Sequence, residues 1–166
     1  MAVETEREGW PFSYVDRIRF GDLDAMRHLN NVAFLGFFES ARIAFIQSLV
    51  ASHSPVEAEH KVGLIFAEAH INYRSPGLFD EEVRTFIRPR ALKRSSFRTE
   101  FLMTSDTDGR TLAEGWGALV GYDYVADKPT PIAEPIAEAL RASGGEAEHD
   151  LLEASRRVLG RPSQNA

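Results

Sequence analysis

The segment from Val32 to Val50 constrains this chain more than any other. Written as a helix, it carries Val32, Phe34, Leu35, Phe37, Phe38, Ile43, Phe45, Ile46 and Leu49 on nearly every side, with Glu39, Ser40, Arg42, Gln47 and Ser48 as polar breaks. A helix apolar almost all round has no face for water and must be enclosed by other elements. A sheet is expected to do this, because the rest of the chain supplies strands. Ile65 to Arg74 alternates, with Ile65, Ala67, Ala69, Ile71 and Tyr73 on one face and Phe66, Glu68, His70, Asn72 and Arg74 on the other. Val15 to Phe20 reads as a first strand before the polar loop Gly21 to Asn30, and the helix should begin near Asn31. Val83 to Arg90, Phe97 to Met103 and Leu112 to Tyr124 follow, the last two joined through a hairpin signal at Ser105 to Gly109. Ala113, Gly115, Gly117 and Gly121 share one face of the last strand, which invites close approach of the helix on that side. Gly115 to Gly121 also misses a dinucleotide fingerprint by one residue, and it lies within a strand.

The expectation is an α+β domain: one long helix against a curved antiparallel sheet of about five strands. A length of 166 residues fits one domain. Residues 1–9 and 143–166 are polar and read as tails around a domain at 10–142, with a short amphipathic helix allowed by Leu151, Leu152, Val158 and Leu159.

Composition excludes several chemistries. There is no cysteine, hence no thiol nucleophile, disulfide or cysteine-ligated metal. A net charge of −6 argues against a nucleic-acid partner, which needs a positive footprint. The longest uninterrupted apolar stretch runs from Val32 to Phe38, far short of a bilayer, and the start is acidic, so no membrane partner and a cytoplasmic location are expected. The five histidines are scattered without ligand spacing, no HExxH occurs, and no metal is expected. No GxSxG elbow is present.

Chemistry concentrates in Phe20 to Asn31, where two acids, a histidine and two asparagines precede the apolar helix. A helix N-terminus offers unpaired N–H groups and a positive dipole end, which can polarise a carbonyl or hold an oxyanion. A carboxylate beside it can attack or orient water. The alternative is capping, with Asn30 or Asn31 as N-cap and Asp22 as a turn residue.

The run Asp22-x-Asp24-x-x-x-His28-x-Asn30-Asn31, followed by Phe37-Phe38-Glu39-Ser40-Ala41-Arg42, resembles the hotdog-fold acyl-CoA thioesterases of the 4-hydroxybenzoyl-CoA thioesterase type. The likeness extends over Tyr14 to Ala142 and includes Tyr73-Arg74-Ser75-Pro76 and the proline-rich approach to a last helix near Pro131. It implies a long helix wrapped by an antiparallel sheet, and protomers paired through edge strands into a homodimer or homotetramer with active sites at the interface. By position it implies that Asp24 is the catalytic carboxylate, as nucleophile or general base, and that the Asn31 backbone amide polarises the thioester carbonyl. His28 and Asn30 become supporting residues. Arg27 is a departure, since relatives commonly have glycine there; arginine would be strained at positive φ, or would pair with Asp24 and lower its basicity. Some relatives use a helix glutamate, but Glu39 and Arg42, three apart, read better as an ion pair.

Arg84 to Arg98 holds six basic residues and no acid. Arg84, Phe86, Arg88 and Arg90 share a strand face, and Lys93 and Arg94 lie in the next turn. This is a solvated outer face or, within the resemblance, a phosphate contact for coenzyme A through Arg88, Arg90, Lys93 and Arg94. Pro89 marks an edge or bulge, and His70 reads as structural. The expected function is hydrolysis of acyl-CoA thioesters, with coenzyme A as part of the substrate and no further cofactor. The alternatives are an acyl-CoA or small-ligand binding module on the same scaffold and a hotdog dehydratase or hydratase.

Overall fold

The computed structural model describes residues 7–49 and 62–151. In chain order it contains β1 (Phe12–Arg17), a 3-10 turn at Phe20–Asp22, α1 (Asn31–Leu49), β2 (Val62–Tyr73), β3 (Glu82–Arg90), β4 (Ser96–Ser105), β5 (Thr111–Asp123), the short β6 (Lys128–Pro129) and α2 (Glu134–Ala142). The strands form one antiparallel sheet in the order β1-β3-β4-β5-β2, with β6 on β5. This is the expected long helix packed on an antiparallel sheet.

The helix contributes Phe34, Phe37, Phe38, Ala41, Phe45 and Ile46 to the core, against Val83 and Ile87 of β3, Phe97, Phe101 and Met103 of β4, and Ala113 and Leu119 of β5. Burial of such large side chains supplies the main driving force, at roughly 25 cal/mol per Å². The glycine face of β5 receives the helix: a Cβ on Gly117 would lie 2.9 Å from the Phe38 ring and 2.2 Å from that of Phe66. Only a residue without Cβ leaves room for both rings.

Three differences from the sequence reading have local causes. The first strand spans Phe12–Arg17, three residues earlier than its alternation suggests, because the chain leaves the sheet into the 3-10 turn at Phe20. Strict alternation in β2 is broken by a bulge: Phe66 pairs with Leu119 but Glu68 with Ala118, so Ala67 is extra. Phe66 therefore joins Ala69 and Ile71 on the helix side, where its ring meets Phe38 at 5.9 Å. The third concerns the stretch from Ser143, read as a tail. Residues 143–151 instead lie on the sheet: Leu92 and Ala91 donate backbone N–H bonds to Gly145 and Ala147. The rest of that stretch, with most of the amphipathic helix expected there, lies outside the described residues.

The helix α1 is long and apolar enough to cross a membrane by length and composition, yet its aromatic face is packed into the sheet. Its other face is open. Val32 is 77% exposed, and Leu35 and Ile43 are also exposed. Enclosure of the helix is thus one-sided within the protomer. Pro89 sits where β1 has ended at the Phe12–Ile87 pair, so on that flank no strand asks for its missing N–H.

Candidate active site

Residues 18–31 close into a compact loop through their own backbone and two acids. Asp22 accepts the Arg19 N–H through Oδ2 at 2.7 Å, and its carbonyl accepts the Asn30 N–H at 2.8 Å. Leu23 and Leu29 form an isolated bridge that holds the base of the next turn. Inside it, Asp24 donates its N–H to the His28 carbonyl at 2.8 Å, and its own carbonyl accepts the Arg27 N–H at 3.0 Å. The Asp24 carboxylate uses one oxygen for the same purpose, since Oδ1 accepts the Met26 N–H at 2.8 Å and the His28 N–H at 3.1 Å. Its Oδ2 has no hydrogen bond among the described residues.

Such a tight turn requires a left-handed residue, and Arg27 provides it at φ +63°. This is the strained conformation that an arginine adopts less readily than glycine. The other expectation for Arg27, an ion pair with Asp24, is not among the ion pairs of the described residues.

Asn30 caps the helix. Its Oδ1 accepts the Val32 N–H at 2.9 Å, and its carbonyl accepts the Ala33 and Phe34 N–H groups. Capping leaves the Asn31 N–H without a partner among the described residues, at the positive end of a 19-residue helix. Asn31 is exposed, as is Val32 after it, so the first turn is not sealed. Tyr73, at the end of β2, donates its hydroxyl to the Asn31 carbonyl at 3.3 Å and sets its ring against Phe34. The Asp24 loop carries the exposed side chains of Phe20 and Met26, and the Phe20 ring meets the exposed Phe79 of the 75–81 loop edge to face at 6.5 Å. A half-buried carboxylate and a helix-start amide unpaired among the described residues can hold a carbonyl compound and deliver negative charge or an activated water to it.

A family model for the thioesterase-like superfamily matches residues 18–140, the stretch that contains this loop, the helix and all the main strands after it. The chain belongs to that superfamily. A thioesterase from Thermus thermophilus, solved with coenzyme A and Zn, is 35% identical over 84% of this chain and 98% of its own, with a TM-score of 0.71. A gentisyl-coenzyme A thioesterase is 25% identical, covers 78% of this chain and 99% of its own, and superposes with a TM-score of 0.70. A 1,4-dihydroxy-2-naphthoyl-CoA thioesterase from Synechocystis shares the fold at 16% identity, with a TM-score of 0.72 over 78% of this chain and 95% of its own. No curated protein matches the chain. As a member of the thioesterase-like superfamily, this protein is a thioester hydrolase with the hotdog architecture.

The superfamily fold separates the basic residues from the Asp24 loop. Arg88 and Arg90 point to the sheet face opposite the helix. There Arg88 Nε contacts Glu100 Oε2 at 2.6 Å and its Nη2 contacts Asp150 at 3.0 Å, while Trp10 stacks under the guanidinium at 4.4 Å. Arg90 lies farther, 4.0 Å from Glu100 and 3.8 Å from Asp150. His149 closes the cluster, with Nδ1 at 2.5 Å from Glu100 Oε1 and its ring edge on Trp116. Burial holds the His149 imidazole below its ordinary pKa, against the pull of Glu100. Lys93 and Arg94 are exposed in the β3–β4 turn. That turn lies at the far end of the sheet from the Glu81 end of β3, about 25–30 Å along the strand at roughly 3.3 Å per residue. Within one protomer the structure brings Asp24, Arg27, His28, Asn30 and Asn31 together, and the four basic residues are elsewhere.

His70 stacks on Trp116 at the outer face. Arg42 is buried on α1, with Glu39 at 3.4 Å and the Phe66 ring 4.7 Å beneath its guanidinium. Burial lowers its pKa, and Glu39 offsets part of that. Glu39 itself is exposed and belongs to this pair. Among the described residues no group of three or more His, Asp or Glu could hold a metal ion. Sequence reasoning missed Tyr73 as a contact to Asn31 and the loop at 75–81 that backs the site. The tyrosine-arginine-x-proline signature pointed to that loop without revealing its partner.

Proposed function

We propose that this hydrolase acts on acyl-CoA thioesters, with Asp24 as the reacting carboxylate and the Asn31 backbone N–H as the donor to the thioester oxygen. The observation that carries the reading is that, among the described residues, Asp24 Oδ2 and the Asn31 N–H both lack a hydrogen-bond partner in the loop and first turn where α1 opens. In this account Asp24 either attacks the carbonyl carbon, forming an anhydride that water then opens, or takes a proton from the attacking water. Either route breaks the C–S bond, adds water across it, and releases the acid and the thiol of coenzyme A. Negative charge on the carbonyl oxygen is met by a preorganised amide, whose contribution is typically 10²–10³-fold, about 3–4 kcal/mol. A thiolate leaves readily, so no strong general acid is required. His28 and Asn30 support the site through the backbone bonds and cap described above. The names of the gentisyl and dihydroxynaphthoyl relatives favour an aromatic acyl group.

The edge strand β2 and the exposed stripe of Val32, Leu35 and Ile43 favour a homodimer or homotetramer in which a second copy covers the open side of α1. Such a pairing would decide whether Lys93 and Arg94 of one copy reach the coenzyme A phosphates at the other's loop. Arg88 and Arg90, engaged by Glu100 and Asp150, are the weaker pair for that role.

Engagement of Asp24 Oδ1 by its own loop favours the second reading, an acyl-CoA binding module in which Asp24 is only a turn residue. Thiol release from aromatic, short-chain and long-chain acyl-CoAs, measured beside calorimetry, separates the two. Hydrolysis predicts turnover with at least one class. Saturable binding without thiol release overturns the hydrolase mechanism in favour of the module.

A further inference from the structure

We propose that Glu81, clamped by Arg110, is a positioning residue for the reaction at Asp24 and Asn31, acting through the carbonyl of Gly77. This rests on the function proposed above. The connection is continuous. Arg110 Nη2 donates to Glu81 Oε2 at 2.6 Å and to the Pro76 carbonyl at 3.0 Å. The same Glu81 Oε2 accepts the Leu78 N–H at 2.8 Å, while Oε1 accepts from the Ser105 hydroxyl at 3.2 Å. Both neighbours of Gly77 are therefore fixed by one ion pair. Between them the Gly77 carbonyl accepts the Leu29 N–H at 2.8 Å, and Leu29 directly precedes the cap Asn30 and the amide of Asn31.

The contact tolerates no slack. A Cβ on Gly77 would lie 2.7 Å from Ile18 Cδ1 and 3.0 Å from Leu29 Cβ, so the two loops touch backbone to side chain. Glu81 is itself nearly buried. Burial raises its pKa, but the bonds from Arg110, Leu78 and Ser105 outweigh that and leave it below the ordinary carboxylate range. The clamp is thus charged at neutral pH. Arg110 ends the β4–β5 hairpin turn and Glu81 directly precedes β3, so the ends of two sheet strands, rather than the Asp24 loop alone, set where the helix-start amide stands. A misplacement of about 1 Å at such a site costs roughly 10²-fold in rate.

The test uses Glu81→Gln, which keeps the shape and one acceptor, and Arg110→Met, which removes the bonds to Glu81 and the Pro76 carbonyl, together with the exposed pair to Asp108, at a partly exposed position; Arg141→Ala, at the surface, is the control. In the folded variants kcat for thiol release is expected to fall about 10- to 100-fold with KM changed less than about twofold. Hydrogen exchange at the Leu29 amide is expected to accelerate in both and not in the control. A drop in melting temperature with kcat per folded enzyme unchanged overturns the proposal, as does an unchanged Leu29 exchange rate. If wild type releases no thiol from any acyl-CoA, the hydrolysis reading fails by itself, and the exchange measurement still judges the clamp.

Discussion

The Asp24 loop and the Glu100 cluster are both charged, both partly buried, and lie on opposite faces of one sheet. They differ in what is left over. At Glu100 the carboxylate is fully buried and each oxygen is occupied, by Arg88 on one side and by His149 and the Leu151 N–H on the other. At Asp24 one oxygen folds the loop while the other, like the Asn31 N–H at the end of the same loop, has no partner among the described residues. Chemistry needs groups that the fold has not consumed. The density of charge in a sequence says little about which of two clusters has them.

The largest effect that would sharpen this contrast is on stability. Glu100→Ala removes the buried acid of Arg88 and Arg90 and leaves them, among the described acids, only the exposed Asp150, which should cost about 3–5 kcal/mol in denaturant unfolding. Activity per folded molecule should be unchanged; a matching loss of kcat would blur the division between the two regions. Smaller is the pH response of the same cluster. Because the folded-state pKa of His149 lies below its ordinary value, its contribution to stability is present above about pH 6.5 and is lost as pH falls below that. Unfolding midpoints between pH 7.5 and 5 should decline in wild type, and the decline should be reduced in His149→Phe; equal slopes would mean that His149 does not carry it. On the site side, Asn30→Ala removes the cap of α1 and should cost about 1 kcal/mol. Smallest is Arg27→Gly, which relieves the left-handed strain and should stabilise by up to about 1 kcal/mol, less the extra freedom of glycine in the unfolded chain. Its kcat should stay within about twofold of wild type if strain, and no pairing with Asp24, is the whole consequence of that arginine.

Much of this was legible in the chain because its cause is local. The all-round apolar helix dictated an enclosing sheet, and the β5 glycines told which face it would take. The cap at Asn30 and the turn at Arg27 follow from the chemistry of neighbours. What escaped has non-local causes. Nothing in Ile65 to Arg74 announces that one extra residue at Ala67 turns Phe66 inward. The fate of Arg88 depended on Glu100, twelve residues away, and on Asp150 and His149 from a segment that reads as a polar tail. The link from Arg110 through Glu81 to Leu29 crosses three loops and has no spacing signature at all. Open flanks are equally illegible: the bare stripe on α1 looks the same in sequence as the stripe that is buried.

Asp24→Asn tests the central claim most directly. Asparagine keeps an oxygen for the Met26 and His28 amides, so the loop should stand and acyl-CoA affinity by calorimetry should be retained. Thiol release from the best wild-type substrate should fall about 10²–10⁴-fold, the usual worth of a positioned acid–base group. Turnover at the wild-type rate in this folded, ligand-binding variant would contradict the assignment of the reaction to Asp24.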